Sequence, residues 1–302
     1  MENPMEGDHR ALNCDRISLN TATCKRLSLG ECVAAARAGG LGAIGPWRDR
    51  VRQIGAEAAA RLFADAGLRV SSLCRGGFLT ARGDGAIAAA LADNRAAVDE
   101  AALIGARELV MVVGGLPAAS AAMGLADQGA AADKALGAAR QRVADRIGDL
   151  TSYARQRGVR LALEPMHPLF TADRGVITTL GQALDLAADF TAEEVGVVVD
   201  TYHVWWDPQV EASIARAGRE GRLCSYQVSD WVLPLAPDTL NSRGMMGDGY
   251  IDFPMLTKSV HDAGYAGDVE VEIFNERLWG LGGSEVVRKL VSRCQRLILP
   301  HL

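Results

Sequence analysis

Eight short apolar segments recur along this chain, each followed by a segment with helical character, and that alternation limits it to a parallel-sheet architecture. The strand segments are residues 16–20, 42–47, 68–73, 108–113, 159–164, 195–200, 223–229 and 268–274. Helices are expected over 29–38, 50–66, 86–104, 131–157, 179–188, 209–217, 254–263 and 284–298. Gly39-Gly40, Gly67, Gly105 and Gly158 stand where helices stop. The fourth and sixth segments are continuous apolar runs, as strands covered on both faces require. Each gap between strands holds one crossover helix. Eight such units predict a single (β/α)8 TIM barrel. An open doubly wound sheet would need fewer units and usually a glycine-rich turn after the first strand, and Asn20-Thr21-Ala22-Thr23 is not one. One domain is expected over residues 1–302, with 1–13 a loose, polar N-terminal arm containing Pro4 and Gly7.

Composition removes several classes of function. A chain of 302 residues with 49% apolar and 23% charged residues has ample material for one large core. Its net charge of −5 disfavours a nucleic-acid partner, whose binding surface would be basic. The six cysteines form no CxxC pair, which argues against a zinc ribbon or a thioredoxin-like motif. Reduced thiols and a cytoplasmic location follow as the default. Residues 1–10 lack the apolar centre of a signal peptide, and no apolar run is long enough to span a bilayer, so no membrane partner is expected.

In a parallel barrel the loops after the strands build the active site, so the strand ends carry the functional information. The fifth, sixth and eighth strands end at Glu164, Asp200 and Glu272. Glu164 and Asp200 each follow three or more apolar residues. An unpaired carboxylate there would cost several kcal/mol or take up a proton. One divalent cation among converging oxygen ligands resolves this, and carboxylates suit Mn²⁺ or Mg²⁺. The plainer explanation is that each acid pairs with an arginine or caps a helix. Glu270 lies on the same face as Glu272 but deeper, so Glu272 is the stronger candidate. His167, after Glu164-Pro165, would serve as a general base or cap the next turn. Trp47, Trp205, Trp206 and Trp231 follow strands and could stack on a sugar ring or pack beneath loops. Arg48, Arg75, Asn241 and Arg243 are rim candidates for substrate hydroxyls.

The segments LALEP (161–165), VVVDTYH (197–203) and VEIF (271–274), with GDGYIDF (247–253) after the seventh strand, resemble the xylose isomerase-like barrel superfamily of sugar isomerases and epimerases. The resemblance runs from Ile17 to the final helix. It implies that Glu164, Asp200 and Glu272 bind one divalent metal, with a fourth ligand from the seventh strand. There the family's histidine is replaced by Gln227, whose carbonyl oxygen is neutral like a bound imidazole. The resulting all-oxygen set would favour Mg²⁺ or Mn²⁺ over Zn²⁺. The resemblance also implies that His203 contacts substrate oxygens. Only five histidines are present, which argues against the trinuclear zinc endonucleases of the same superfamily.

The expected activity is metal-dependent isomerisation or epimerisation of a keto-sugar or related polyol ketone, with Glu164 and Glu272 moving the proton and His203 and His167 assisting. The substrate would be a small carbohydrate-like molecule touched by Trp47, Arg75, Trp205, Trp231 and Arg243. A lyase that adds β-elimination to the same first step, and a metal-poor binding subunit without catalysis, are the alternatives. Barrels that resemble this one often form homo-oligomers.

Overall fold

Nine parallel strands form one continuous sheet in the computed structural model, which describes residues 13–116 and 135–302. The expected terminal arm and the first residues of the helix expected over 131–157 lie outside the described residues. The sheet strands are β1 (Ile17–Asn20), β2 (Ala43–Gly45), β3 (Arg69–Val70), β4 (Leu73–Gly77), β5 (Glu108–Val112), β6 (Arg160–Leu163), β7 (Val195–Asp200) and β8 (Leu223–Val228), with β9 (Asp230–Trp231) and β10 (Arg243–Gly244) forming a separate ribbon before the ninth, β11 (Val269–Val271). The order β3-β2-β1-β11-β8-β7-β6-β5-β4 places β3 and β4 at opposite ends. They are two halves of one stave, interrupted at Ser71 and Ser72. A parallel bridge between Trp47 and Cys74 joins the ends and closes the eight-staved ring.

Two expectations from the sequence need correction. The third strand does not stop at residue 73 but runs on to Gly77. Its last residues, RGG, look like a loop in the sequence. Gly77 adopts φ +114°, and a Cβ there would lie 1.8 Å from the Val112 carbonyl oxygen, so only glycine lets β4 close on β5. The helix expected over 50–66 is two helices, Arg48–Ile54 and Ala56–Asp65, because Gly55 between them leaves the helical range. Elsewhere local signals act as expected: Ser28 and Glu31 form a reciprocal cap at the start of Leu29–Ala38.

Side-chain alternation sorts each stave into two environments. Outward-facing residues such as Leu19, Ile44, Leu109, Met111, Leu161, Leu163, Val197 and Val199 belong to the main core beneath the helices. Inside the ring, Cys74, Val110, Ala162, Val198 and Cys224 form a small apolar cluster. The rest of the interior is polar. Glu270, fully buried, accepts hydrogen bonds from Asn20 (2.6 Å), Ser71 (2.6 Å), Ser72 (2.8 Å) and Gln227 (3.2 Å). All six cysteines are buried free thiols. Among the described residues no helix is long and apolar enough to cross a membrane.

Glu270 needs space as well as donors. A Cβ added at Gly45 would lie 2.4 Å from its carboxyl carbon. Gly45→Ala should therefore lower the unfolding free energy by roughly 1–3 kcal/mol. A urea midpoint equal to wild type would show that Glu270 has room to move aside.

Candidate active site

The three predicted acids converge. Each is placed by the sheet ladder: Glu164 N donates to Met111 O on β5, and Glu272 N to Val228 O on β8, while Asp200 is the last residue of β7. Asp200 stands in register with Gln227 on β8, which stands in register with Glu270 on β11. Glu164, Asp200 and Glu272 are all buried. Between them lies a guanidinium. Arg243 Nη1 is 2.8 Å from Asp200 Oδ2 and 3.2 Å from Glu272 Oε2, and its ring neighbours are Tyr202 and Phe274. The Glu272 Oε1 atom accepts from Trp47 Nε1 and Asn20 Nδ2, both at 3.0 Å. Asp200 Oδ1 accepts from Tyr202 N at 2.9 Å and caps the helix Thr201–Val204. The plainer explanation, arginine pairing and helix capping, therefore holds for Asp200 in full.

Burial shifts every acid here, and repulsion from neighbouring acids adds to it at Glu164 and Glu272. Burial, then the charges of Glu272 and Asp200, push Glu164 well above the usual carboxylate range. Glu272 is raised to about 7, by burial against the pull of Arg243. Asp200 is raised less, because Arg243 and the Tyr202 N–H offset its burial. Burial opposes the charge of Arg243, but Asp200, Glu272 and Glu164 outweigh that and raise its pKa.

Arg243 was expected at the rim, touching substrate hydroxyls. It is instead 1% exposed and sits at the centre of the acid cluster. The antiparallel ribbon of β9 and β10, pairing Arg243 with Trp231, carries it there. Asp230 pins that ribbon. Its two oxygens accept from the backbone N–H groups of Trp231 (2.8 Å), Gly247 (2.8 Å), Gly249 (2.8 Å) and Ile251 (3.1 Å). Sequence reasoning named no role for Asp230. The available signal was an acid directly after a strand, followed by the glycine loop 247–249.

His203 is fully buried beside the acids. Burial, then the charge of Arg243, hold it well below its ordinary pKa, so the ring is neutral. Its Nδ1 faces the His167 N–H at 3.2 Å and its Nε2 faces Arg243 Nη2 at 3.0 Å. A neutral imidazole accepts through only one nitrogen, so one of these contacts is a hydrogen bond and the other nitrogen bears the proton. His167 caps the turn Pro168–Phe170, its Nδ1 accepting from Leu169 N, and burial lowers its pKa to about 4. Its ring stacks on Trp231, which in turn meets Tyr202 and Trp205. His167, Trp205 and Trp231 thus build an aromatic cluster. None of them lines the cavity of about 170 Å³ beside the acids, whose walls include Trp47, Arg75, Glu164, His203, Arg243 and Glu272. Gln227 donates through Nε2 to Glu270 and to the Cys74 sulfur, while its Oε1 is buried without a partner among the described residues.

Residues 33–296 match the family model described as xylose isomerase-like TIM barrel. The chain belongs to the xylose isomerase-like TIM barrel family. The crystal structure of protein SMc04130 from Sinorhizobium meliloti 1021 is 40% identical, with a TM-score of 0.86, covering 94% of this chain and 99% of that one. The zinc-bound IOLI protein structure shares the fold at 17% identity and TM-score 0.79, covering 95% and 99%. An inosose isomerase of Halalkalibacterium halodurans is 23% identical over 156 residues, 51% of this chain and 54% of the relative. The chain thus spans about half the length of the curated relatives it matches.

The residues of this xylose isomerase-like barrel fit a hard divalent cation on two counts. Three buried carboxyl groups share one guanidinium, and Gln227 Oε1 is a buried oxygen with no donor among the described residues. Glu164, Asp200 and His203 also bring one possible ligand atom each within 4.8 Å of the others. Arg243, however, holds one oxygen each of Asp200 and Glu272, so a cation bound there competes with the guanidinium.

The placement of Arg243 depends on the Asp230 anchor. Asp230→Ala leaves four backbone donors without their acceptor and should lower stability by about 3 kcal/mol. Chemical denaturation reads this directly; wild-type stability would mean that other contacts hold the ribbon.

Proposed function

We propose that the protein is an isomerase or epimerase of a keto-sugar or inosose-like ketone. The observation that carries this reading is a pair of buried acids, Glu164 and Glu272, lining one small cavity with a cation fixed beside them. The inosose isomerase relative supports the same class of substrate. A ketone whose α-carbon lies between two such acids can lose a proton to one and regain it from the other. Return to the same carbon inverts it; return to the neighbouring carbon moves the carbonyl by one position, giving an aldehyde only where the α-carbon is a chain end. Glu272, raised to about 7, is suited to take a proton near neutral pH; Trp47 and Asn20 fix its Oε1, and Oε2 meets Arg243. Glu164, raised further, is suited to give one. His203, neutral and buried, is suited to hold the oxygen on which charge develops.

The residues that would hold a divalent ion are Glu164, Asp200, Glu272 and the carbonyl of Gln227, with Mn²⁺ or Mg²⁺ best matched to all-oxygen donors. Such an ion supplies polarisation of the substrate carbonyl, which acidifies the adjacent C–H. A second reading rests on Arg243. Its guanidinium already sits against Asp200 and Glu272, and a fixed cation of that kind can stabilise an enediolate unaided.

Two measurements test the proposal. With an inosose or keto-sugar substrate in D₂O, the wild type should wash deuterium into the α-position, and Glu164→Gln should lose at least about 10²-fold in that rate while keeping its circular dichroism. An undiminished rate would remove Glu164 from the chemistry. Exhaustive chelation should abolish exchange, and added Mn²⁺ or Mg²⁺ should restore it. Full activity in the chelated protein would select the arginine-only reading.

A further inference from the structure

A second cavity of about 390 Å³ adjoins the first and shares Trp47, Arg75 and Phe274 with it. The first sets Glu164 and Glu272 among three arginines, whereas the second is more cationic. Lys25, Arg48, Arg50, Arg52 and Arg75 line it, against Asp49 and Asp93 alone. This concentration of positive charge stands out in a chain of net charge −5. Part of it is spoken for. Arg48 pairs with Asp93 at 2.9 Å and Glu100 at 2.7 Å, and Arg52 with the same two acids at 3.2 and 2.8 Å. Arg50 donates through Nη2 to the Lys25 carbonyl oxygen and reaches Asp49 at 3.8 Å, while the Lys25 ammonium lies over the Trp279 ring.

Arg75 is different. Its guanidinium rests on the Phe78 ring, 4.2 Å from the centroid, and makes no hydrogen bond or ion pair among the described residues. It lines both cavities. Burial, then the neighbouring charge of Arg48, lower its pKa to about 10, so the free protein holds this cation at a cost. A neutral polyol would not offset that cost. An oxyanion would, because guanidinium forms paired, charge-assisted bonds to carboxylate and phosphate oxygens.

We propose that the substrate carries an anionic group at the end remote from its reacting carbons, and that Arg75, assisted by Lys25 and Arg50, binds it. The shared chemistry is that of a carboxylate or a phosphate ester, so the ligand is a keto-sugar acid or a keto-sugar phosphate. This deepens the isomerase reading and rests on it for the location of the reacting carbons.

Binding tests it without requiring turnover. D-Fructose, its 6-carboxylate (fructuronate) and its 6-phosphate differ only in the group at carbon 6. Calorimetric titration of the wild type should show at least one of the two anions binding about tenfold or more tighter than fructose, with the advantage shrinking as salt is raised. Which anion wins identifies the group. Arg75→Ala should remove that advantage, lowering the affinity for the favoured anion at least about fivefold more than the affinity for fructose. Lys25→Ala, at an exposed position that folding does not need, should reduce the advantage partly. Equal affinity for all three compounds, no binding of either anion, or an equal loss for all three in Arg75→Ala would overturn the proposal. Tight anion binding without deuterium exchange would sink the isomerase reading alone and leave the anion site standing.

Discussion

The top of this barrel depends on keeping several carboxylates out of water around a single guanidinium. Such groups are tolerated only when each finds a partner or a proton. Glu270 takes neutral donors, four of them, from β1, β8 and the Ser71-Ser72 break between β3 and β4. Asp200 and Glu272 share Arg243. Glu164 shares a hydrogen bond with Asp200, and burial together with the charges of Glu272 and Asp200 raises its affinity for a proton. The cluster is under-compensated by design of the fold, and that is its chemical potential: whatever enters must bring positive charge, accept a proton, or donate one. A closed ring of staves makes this sustainable, because the backbone ladders leave the acids little freedom to separate.

Much of this was legible in the sequence. Apolar strands ending in Glu164, Asp200 and Glu272 announce inward acids, because strand direction and the barrel's closure bring successive strand ends to one rim. Glu270 and Glu272 could be ranked by depth alone. What was not legible arises from contacts with no local signature. Residues 230–244 show no apolar period, so nothing in them foretells that the β9–β10 pairing will thrust Arg243 inward. The aromatic residues were ambiguous for a related reason. Trp205 and Trp231 follow strands, as substrate-stacking residues would, yet their apolar area is satisfied by Tyr202, His167 and each other. The RGG end of β4 reads as a loop because glycine usually weakens a strand. Here it is the one residue the strand-to-strand approach admits.

Trp47 ties closure of the barrel to the chemistry inside it. Its backbone bridges to Cys74 and completes the ring, and its amide N–H is held by Thr21 Oγ1 at 2.9 Å. Its indole N–H fixes Glu272, and its ring edges against Phe274 at 5.4 Å between centroids. The same side chain walls both cavities, the one holding Glu164 and Glu272 and the more cationic one beside it. A molecule lying along it would meet the two glutamates at one end and a more strongly cationic wall at the other. That gradient orients a ligand before any specific contact forms, because the reversed pose sets an anion against Glu164 and Glu272. Discrimination then comes as much from the pose refused as from the pose accepted, and it needs no residue beyond those that already hold the barrel shut.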